Sequence, residues 1–255
     1  MPIQFNIIEG QERHTMISLR KAQERGHANH GWLDSYHSFS FSSYQDPEHM
    51  HYSVLRVINE DVIAPGMGFG MHPHRDMEII TYMLKGELRH EDSLGNGSVI
   101  RAGDVQRMSA GTGIVHSEFN ASDRSQAHLL QIWLLPEEGG ISPGYEEKHF
   151  AAEEKRDRWC LVASRDGREG SLRIHQDVAL YATVLSENQR IEYSMQRGRS
   201  VYLHVVRGSL IVDGLLLEAG DAAKVDAQQH IEITAGEAAE VLLFDLPSHH
   251  SVNLV

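Results

Sequence analysis

Two short pieces of this sequence carry side chains that could hold a metal ion: His72-Pro73-His74 and His116-Ser117-Glu118. Successive side chains on a β-strand alternate faces, so residues at i and i+2 point the same way. Each piece thus offers two ligand-type side chains side by side. Residues 75–115 are enough chain for a few short strands to bring the pieces together. Three imidazoles and one carboxylate would then meet at one point, a donor set that suits Fe, Ni, Co, Cu, Mn or Zn. Around an octahedral ion four protein ligands leave two positions for water, substrate or dioxygen. A closed structural zinc site would favour cysteines, and none is near.

Two glutamates compete for the fourth position. Glu118 stands two residues from His116, about 6.6 Å along the same face. Glu78 has the parity of His74 but would sit about 13 Å away on a regular strand. Glu118 is therefore the expected ligand, and Glu78 a supporting or salt-bridging residue beside Arg75. The chain contains 17 histidines, so one histidine alone means little. His49-Met50-His51 repeats the pattern, but no second pair accompanies it and it follows the turn signal Asp46-Pro47-Glu48.

The surrounding sequence reads as the scaffold for this point. Glycines punctuate short strand-like pieces from Gly66 to Gly113. IITYML (79–84) and AHLLQIWLL (127–135) have the β-branched, aromatic and apolar content of buried strands. Leu94-Gly95-Asn96-Gly97 is a hairpin signal. In GHANHGWLDSYHSFSF, alternation puts His37, Phe39 and Phe41 on one face, where the phenylalanines could form an aromatic wall. Many short strands with almost no helical periodicity predict an all-β barrel or sandwich.

Residues 136–145, rich in Gly and Pro, read as a linker. Beyond them an echo appears: Lys85-Gly86-Glu87-Leu88 with Arg101-Ala102-Gly103-Asp104 matches Arg207-Gly208-Ser209-Leu210 with Glu218-Ala219-Gly220-Asp221. A duplicated β-domain follows. We expect an N-terminal extension over 1–15, a metal-bearing domain over 16–140 and a second domain over 141–255. The second copy has Ser194 and Gln196 where the first has His72 and His74. It keeps only a partial imitation, His230-Ile231-Glu232, and so should hold no complete site.

At 255 residues and a formal charge of −13, the chain has the balance of a globular protein. The acidic charge argues against nucleic acid and anionic membranes as direct partners. Cys160, the one cysteine, lies in an apolar run beside Trp159 and reads as core. With neither a signal-peptide pattern nor a membrane-length apolar run, the expected location is the cytoplasm.

Gly66-x5-His72-x-His74-x3-Glu78-x7-Gly86 resembles the first cupin motif, with one extra residue before the last glycine. Gly103-x5-Ser109-Ala110-Gly111-x4-His116-x3-Asn120 resembles the second, with serine for the usual proline and two extra residues before the histidine. Those departures are ones the pirin family shows. HPHRDMEIITYMLKG, MSAGTGIVHSE and LLQIWLLP are similar to pirin segments, and GHANHGWLDSYHSFSF and FDLP to its bacterial branch. The resemblance implies two tandem cupin (jelly-roll-like) β-barrels. It also implies one divalent metal in the first, held at His72, His74, His116 and Glu118. Fe(II) is the expected ion, with Zn, Ni, Co, Cu or Mn as alternatives. Bacterial pirins similar to this chain act as quercetin 2,3-dioxygenases, opening a flavonol heterocycle with O2 and releasing CO. On that reading Glu118 serves as base as well as ligand, and Phe39, Phe41 and Phe69 contact the aromatic substrate. Eukaryotic pirins are iron-binding transcriptional co-regulators, so the alternative is a redox or metal-sensing regulator acting through a protein partner.

Overall fold

The computed structural model describes residues 16–226 and 229–249; the expected extension over 1–15 lies outside them. The first half contains β1 (Met16–Arg20), β2 (Gly26–Asn29), β3 (Leu33–His37), β4 (Leu55–Ile63), β5 (Gly68–His74), β6 (Glu78–Lys85), β7 (Glu87–Asp92), β8 (Gly97–Arg101), β9 (Asp104–Ser109), β10 (Ile114–Asn120), β11 (Ala127–Leu134) and β12 (Gly144–His149). A single α-helical turn, α1 (Ala152–Lys155), leads to the second half. There follow β13 (Cys160–Ser164), β14 (Leu172–Arg173), β15 (Ala179–Leu185), β16 (Arg190–Ser194), β17 (Arg199–Arg207), β18 (Ser209–Val212), β19 (Leu215–Glu218), β20 (Ala222–Asp226), β21 (His230–Ala235) and β22 (Ala239–Pro247). The all-β expectation and the duplication both hold.

Each half pairs a seven-stranded sheet with a four-stranded one. The first has the orders β12-β9-β6-β11-β4-β3-β2 and β5-β10-β7-β8; the second has β1-β20-β17-β22-β15-β13-β14 and β16-β21-β18-β19. Among the described residues no hydrogen-bonded strand joins the two sheets of a half. Each is therefore a jelly-roll-like sandwich and not a closed barrel. The unjoined edge strands β2 and β5 leave the gap through which the site opens.

Two strands cross the division expected at residues 140–141. β1 pairs with β20 of the second half, Met16 opposite Asp226, and β12 pairs with β9 of the first, Gly144 opposite Ser109. The halves thus exchange edge strands.

The two seven-stranded sheets pack back to back. Leu130, Ile132 and Leu134 of β11 meet Leu242, Phe244 and Leu246 of β22 in one buried core. The alternate residues Leu129, Gln131 and Trp133 face the interior of the first half. Both faces of β11 are covered, which is why its sequence reads as a nearly unbroken apolar run. Cys160 packs partly buried against the same interface core.

The duplication can be aligned residue by residue. Gly86 and Gly208 both have φ of 76°, and each backs against the chain entering a central strand of its half, β11 at Gln126–Ala127 and β22 at Ala238–Ala239. A side chain there would strike the carbonyl of Gln126 or Ala238, so only glycine fits. Followed through strand pairing from these anchors, the cross-strand pair His72–His116 corresponds to Tyr193–Ile231, one residue from the Ser194 that equal counting assigns to His72, and Glu118–His90 corresponds to Ile233–Val212. Thr81–Gln131 corresponds to Leu203–Leu243.

Candidate metal centre

β5 and β10 run antiparallel with His72 directly opposite His116 and His74 opposite Ile114. A bulge between His116 and Glu118 shifts the pairing so that Glu118 lies opposite Phe69. The three imidazoles converge: ring centres are 4.4 Å apart for His72–His116, 4.8 Å for His72–His74 and 5.0 Å for His74–His116. Their candidate ligand nitrogens all lie within 4.8 Å of one another. Glu118 falls in a second, overlapping group with His116 and His90, within the same distance.

The hydrogen bonds fix which nitrogens are free. His72 Nδ1 donates to the Gly70 carbonyl at 2.7 Å, since a carbonyl can only accept, and this leaves Nε2 bare. His116 Nε2 is buried without a partner. Leaving a buried polar atom unpaired is costly, and a cation coordinated there would satisfy it. Burial, then the neighbouring His72, holds the His74 pKa down to about 4. Burial, then His72, His74 and His90, pushes His116 to about 2. His74 and His116 are therefore neutral at physiological pH, the form in which histidine ligates a metal. The donor set fits a divalent transition metal.

Glu118 is 2 % exposed. Its Oε2 accepts from Gln131 Nε2 at 2.8 Å, and its Oε1 lies 3.4 Å from Thr81 Oγ1, whose one hydrogen is nearer to Gln131 Oε1 at 3.1 Å. Burial, then the charge of Asp61, raises its pKa to about 7. Asp61 is raised to about 6, chiefly by burial, although Ser35 Oγ donates to it at 2.5 Å.

His72, His74, Asp61, Gln131 and Glu118 line a cavity of about 440 Å³. One wall is aromatic: Phe41 packs edge-on against Trp133 at 5.4 Å and Trp32 against Phe69 at 5.2 Å. The facing polar groups include Asn59, Asp61, Gln131 and Glu118.

Phe41 and Phe69 are where an aromatic wall requires them; Phe39 corrects the expectation. β3 ends at His37, so the alternation does not carry on. Phe39 is 1 % exposed and packs 5.5 Å from Tyr202 in the core between the halves. Glu78 also differs. It accepts from Ser109 Oγ and from the backbone N–H of His175, while Arg75 donates to the Thr112 carbonyl instead. It ties the two halves together, because β6 carries it toward the second sheet. His49 pairs with Asp46, His51 Nδ1 donates to the Ser53 carbonyl, and His230 meets Ser194. None of these three joins a metal-type cluster among the described residues.

Sequence reasoning missed Thr81, Gln131, Asp61 and His90. Gln131 carried a signal, as the one polar residue within LLQIWLL. His90-Glu91-Asp92 is a further i, i+2 pair, hidden among many histidines.

Comparison with known proteins agrees with this picture. A family model described as Pirin matches residues 18–134, and one described as Quercetinase C-terminal cupin domain matches 161–246. The chain is 51% identical to a quercetin 2,3-dioxygenase of Escherichia coli strain K12, covering 91% of this chain and 99% of that one. It is 40% identical to a pirin-like protein of Caulobacter vibrioides, over 90% and 99%. The crystal structure of the bacterial pirin YhhW from E. coli in complex with nickel(II) superposes with a TM-score of 0.88, at 51% identity over 91% of this chain and all of that one. With two cupin domains, a histidine cluster in the first and kinship along nine-tenths of its length, the chain belongs to the pirin family.

Proposed function

We propose that the chain is a metal-dependent dioxygenase that opens the heterocycle of a flavonol such as quercetin with O2 and releases CO. One observation carries the reading: three converging imidazoles, one of them clustered in turn with the buried carboxylate Glu118, stand at an aromatic-walled cavity. Held by His72, His74, His116 and Glu118, one divalent metal, Fe(II) in this reading, would supply a Lewis acid and an electron-exchange centre for O2. The relatives named quercetin 2,3-dioxygenase support both substrate and reaction.

The chain's own residues then have defined tasks. Glu118 accepts the proton of the flavonol 3-hydroxyl. With its pKa raised to about 7, it is a stronger base than an exposed carboxylate yet still partly ionised at neutral pH. Gln131, itself oriented by Thr81, holds the carboxylate by one oxygen. Phe41, Phe69, Trp32 and Trp133 bracket a planar ring system and keep water from it. A cavity of about 440 Å³ suits a ligand of that size. An acidic protein of this kind would work in the cytoplasm on a small aromatic substrate. Among the described residues no helix is long and apolar enough to cross a membrane.

The test is anaerobic loading with Fe(II), then aeration with quercetin while its visible absorbance and evolved CO are followed. Loss of absorbance with CO released in step supports the reading. A fully loaded protein that leaves quercetin intact overturns it and favours the metal-sensing alternative.

A further inference from the structure

Behind the three imidazoles lies a second layer with no part in the reaction as drawn. His90 on β7 is fully buried, lies opposite Glu118 in register and stacks on Tyr145 at 4.7 Å. Its two nitrogens face different partners. Nε2 is 3.1 Å from Asp92 Oδ2, while Nδ1 is 3.4 Å from His116 Nδ1 and 3.4 Å from Gln106 Nε2.

Asp92 anchors the assignment of protons. Its carboxylate also accepts from Leu94 N–H at 2.9 Å, Asn96 N–H at 3.1 Å and Asn96 Nδ2 at 2.9 Å. A carboxylate surrounded by donors accepts from every neighbour, so His90 Nε2 carries the hydrogen. In a neutral imidazole Nδ1 is then bare; Gln106 Nε2 can only donate to it, and a bare His116 Nδ1 at 3.4 Å would repel it. His116 Nδ1 therefore carries a hydrogen directed at His90. That leaves the lone pair of His116 on Nε2, the buried nitrogen without a partner. The other tautomer of His116 would set two lone pairs against each other.

We propose that His90 is a positioning residue. With Asp92 it forms a relay that locks His116 as the Nδ1–H tautomer and aims its Nε2 lone pair at the metal. The proposal rests on the metal centre argued above. It also gives the Leu94-Gly95-Asn96-Gly97 hairpin a task, since that turn folds its backbone N–H groups around Asp92. The competing role for His90, ligand to a second ion with His116 and Glu118, would break bonds that both of its nitrogens already make.

The test uses the full chain, titrated with Ni(II) against a competing chelator, with ring ¹⁵N spectra of the histidines before loading. His90→Leu removes the relay, and His90→Asn keeps an acceptor near the Nδ1 position. Wild type should bind one Ni(II) and show His116 as the Nδ1–H tautomer. His90→Leu should still bind one, about 10–100-fold more weakly, with His116 moving toward the Nε2–H form. His90→Asn should recover part of the affinity, which a general packing role would not produce. Unchanged affinity and tautomer in His90→Leu would overturn the proposal. So would two ions in wild type with one lost in His90→Leu. If His90→Leu does not fold, Asp92→Asn, close to isosteric, carries the test: weakened binding supports the relay and wild-type binding rejects it. A wild type that binds no Ni(II) but keeps the Nδ1–H tautomer would overturn the metal centre and leave the relay standing.

Discussion

Glu118 is assigned two tasks, ligand and base, and they can be separated. Glu118→Gln keeps the shape and an oxygen that ligates weakly, but an amide is a far poorer proton acceptor. Three histidines should retain much of the metal, while turnover per bound ion should fall about 10²–10⁴-fold. Metal content and quercetin turnover measured on one preparation decide the matter; equal turnover per ion would move the base elsewhere. Asp61 permits a test without metal. Its folded pKa, about 6, lies above the ordinary carboxylate value of 3.8 because burial favours the protonated form. The folded chain thus holds this proton more tightly than the unfolded chain. The contribution is fully present below about pH 4 and is lost as pH rises through 6. Asp61→Asn cannot ionise and can still accept from Ser35. In unloaded protein it should match wild type near pH 4 and exceed it by up to about 3 kcal/mol at pH 8. Thermal unfolding of both across that range should show the gap opening with pH. A gap that closes with rising pH would contradict the assignment.

The parity of single strands decides where a site exists. In β10, His116 and Glu118 point inward; in β21, Ile231 and Ile233 are fully buried while His230 and Glu232 face outward. Shifting polar residues by one position therefore places the second half's imitation on the wrong side of its sheet. His230→Ala, His49→Ala and His51→Ala should leave metal content unchanged. Elemental analysis of each variant against His116→Ala, which should lose the ion, checks this. The same parity explains what the sequence disclosed. The convergence of His72, His74 and His116, the hairpin and the duplication were legible because i, i+2 spacing and glycine positions are local properties. Phe39 was misjudged because strand alternation was extended past His37, where β3 stops. The supporting role expected of Glu78 holds, but its partner His175 was not legible because the other half contributes it. His90 was invisible because its meaning depends on the register of β7 against β10, a non-local pairing.

At the scale of the molecule, the second half supports the first. Where the first half sets Thr81 opposite Gln131, and His90 opposite Glu118, the second sets leucine opposite leucine and valine opposite isoleucine, all fully buried. It has filled the counterpart of the site with core and offers its broad sheet as backing. The support is mutual: β1 completes the second half's sheet, β12 the first's, and Tyr82 donates to Glu240 across the interface, where Lys155 also binds both. The two phenylalanines of one short segment separate this support from chemistry. Phe39 packs on Tyr202 between the halves, and Phe41 packs on Trp133 in the cavity wall. Phe39→Ala should cost about 3–5 kcal/mol, the usual price of emptying a buried aromatic site. It should leave metal content and turnover of the folded fraction near wild type. Phe41→Ala lies at the cavity surface and should cost much less stability while raising KM for an aromatic substrate. Calorimetry and steady-state kinetics on the pair test the division, and a single unfolding transition that Phe39→Ala lowers as a whole is expected from the shared core. A second, unshifted transition in that variant would mean that the halves fold independently.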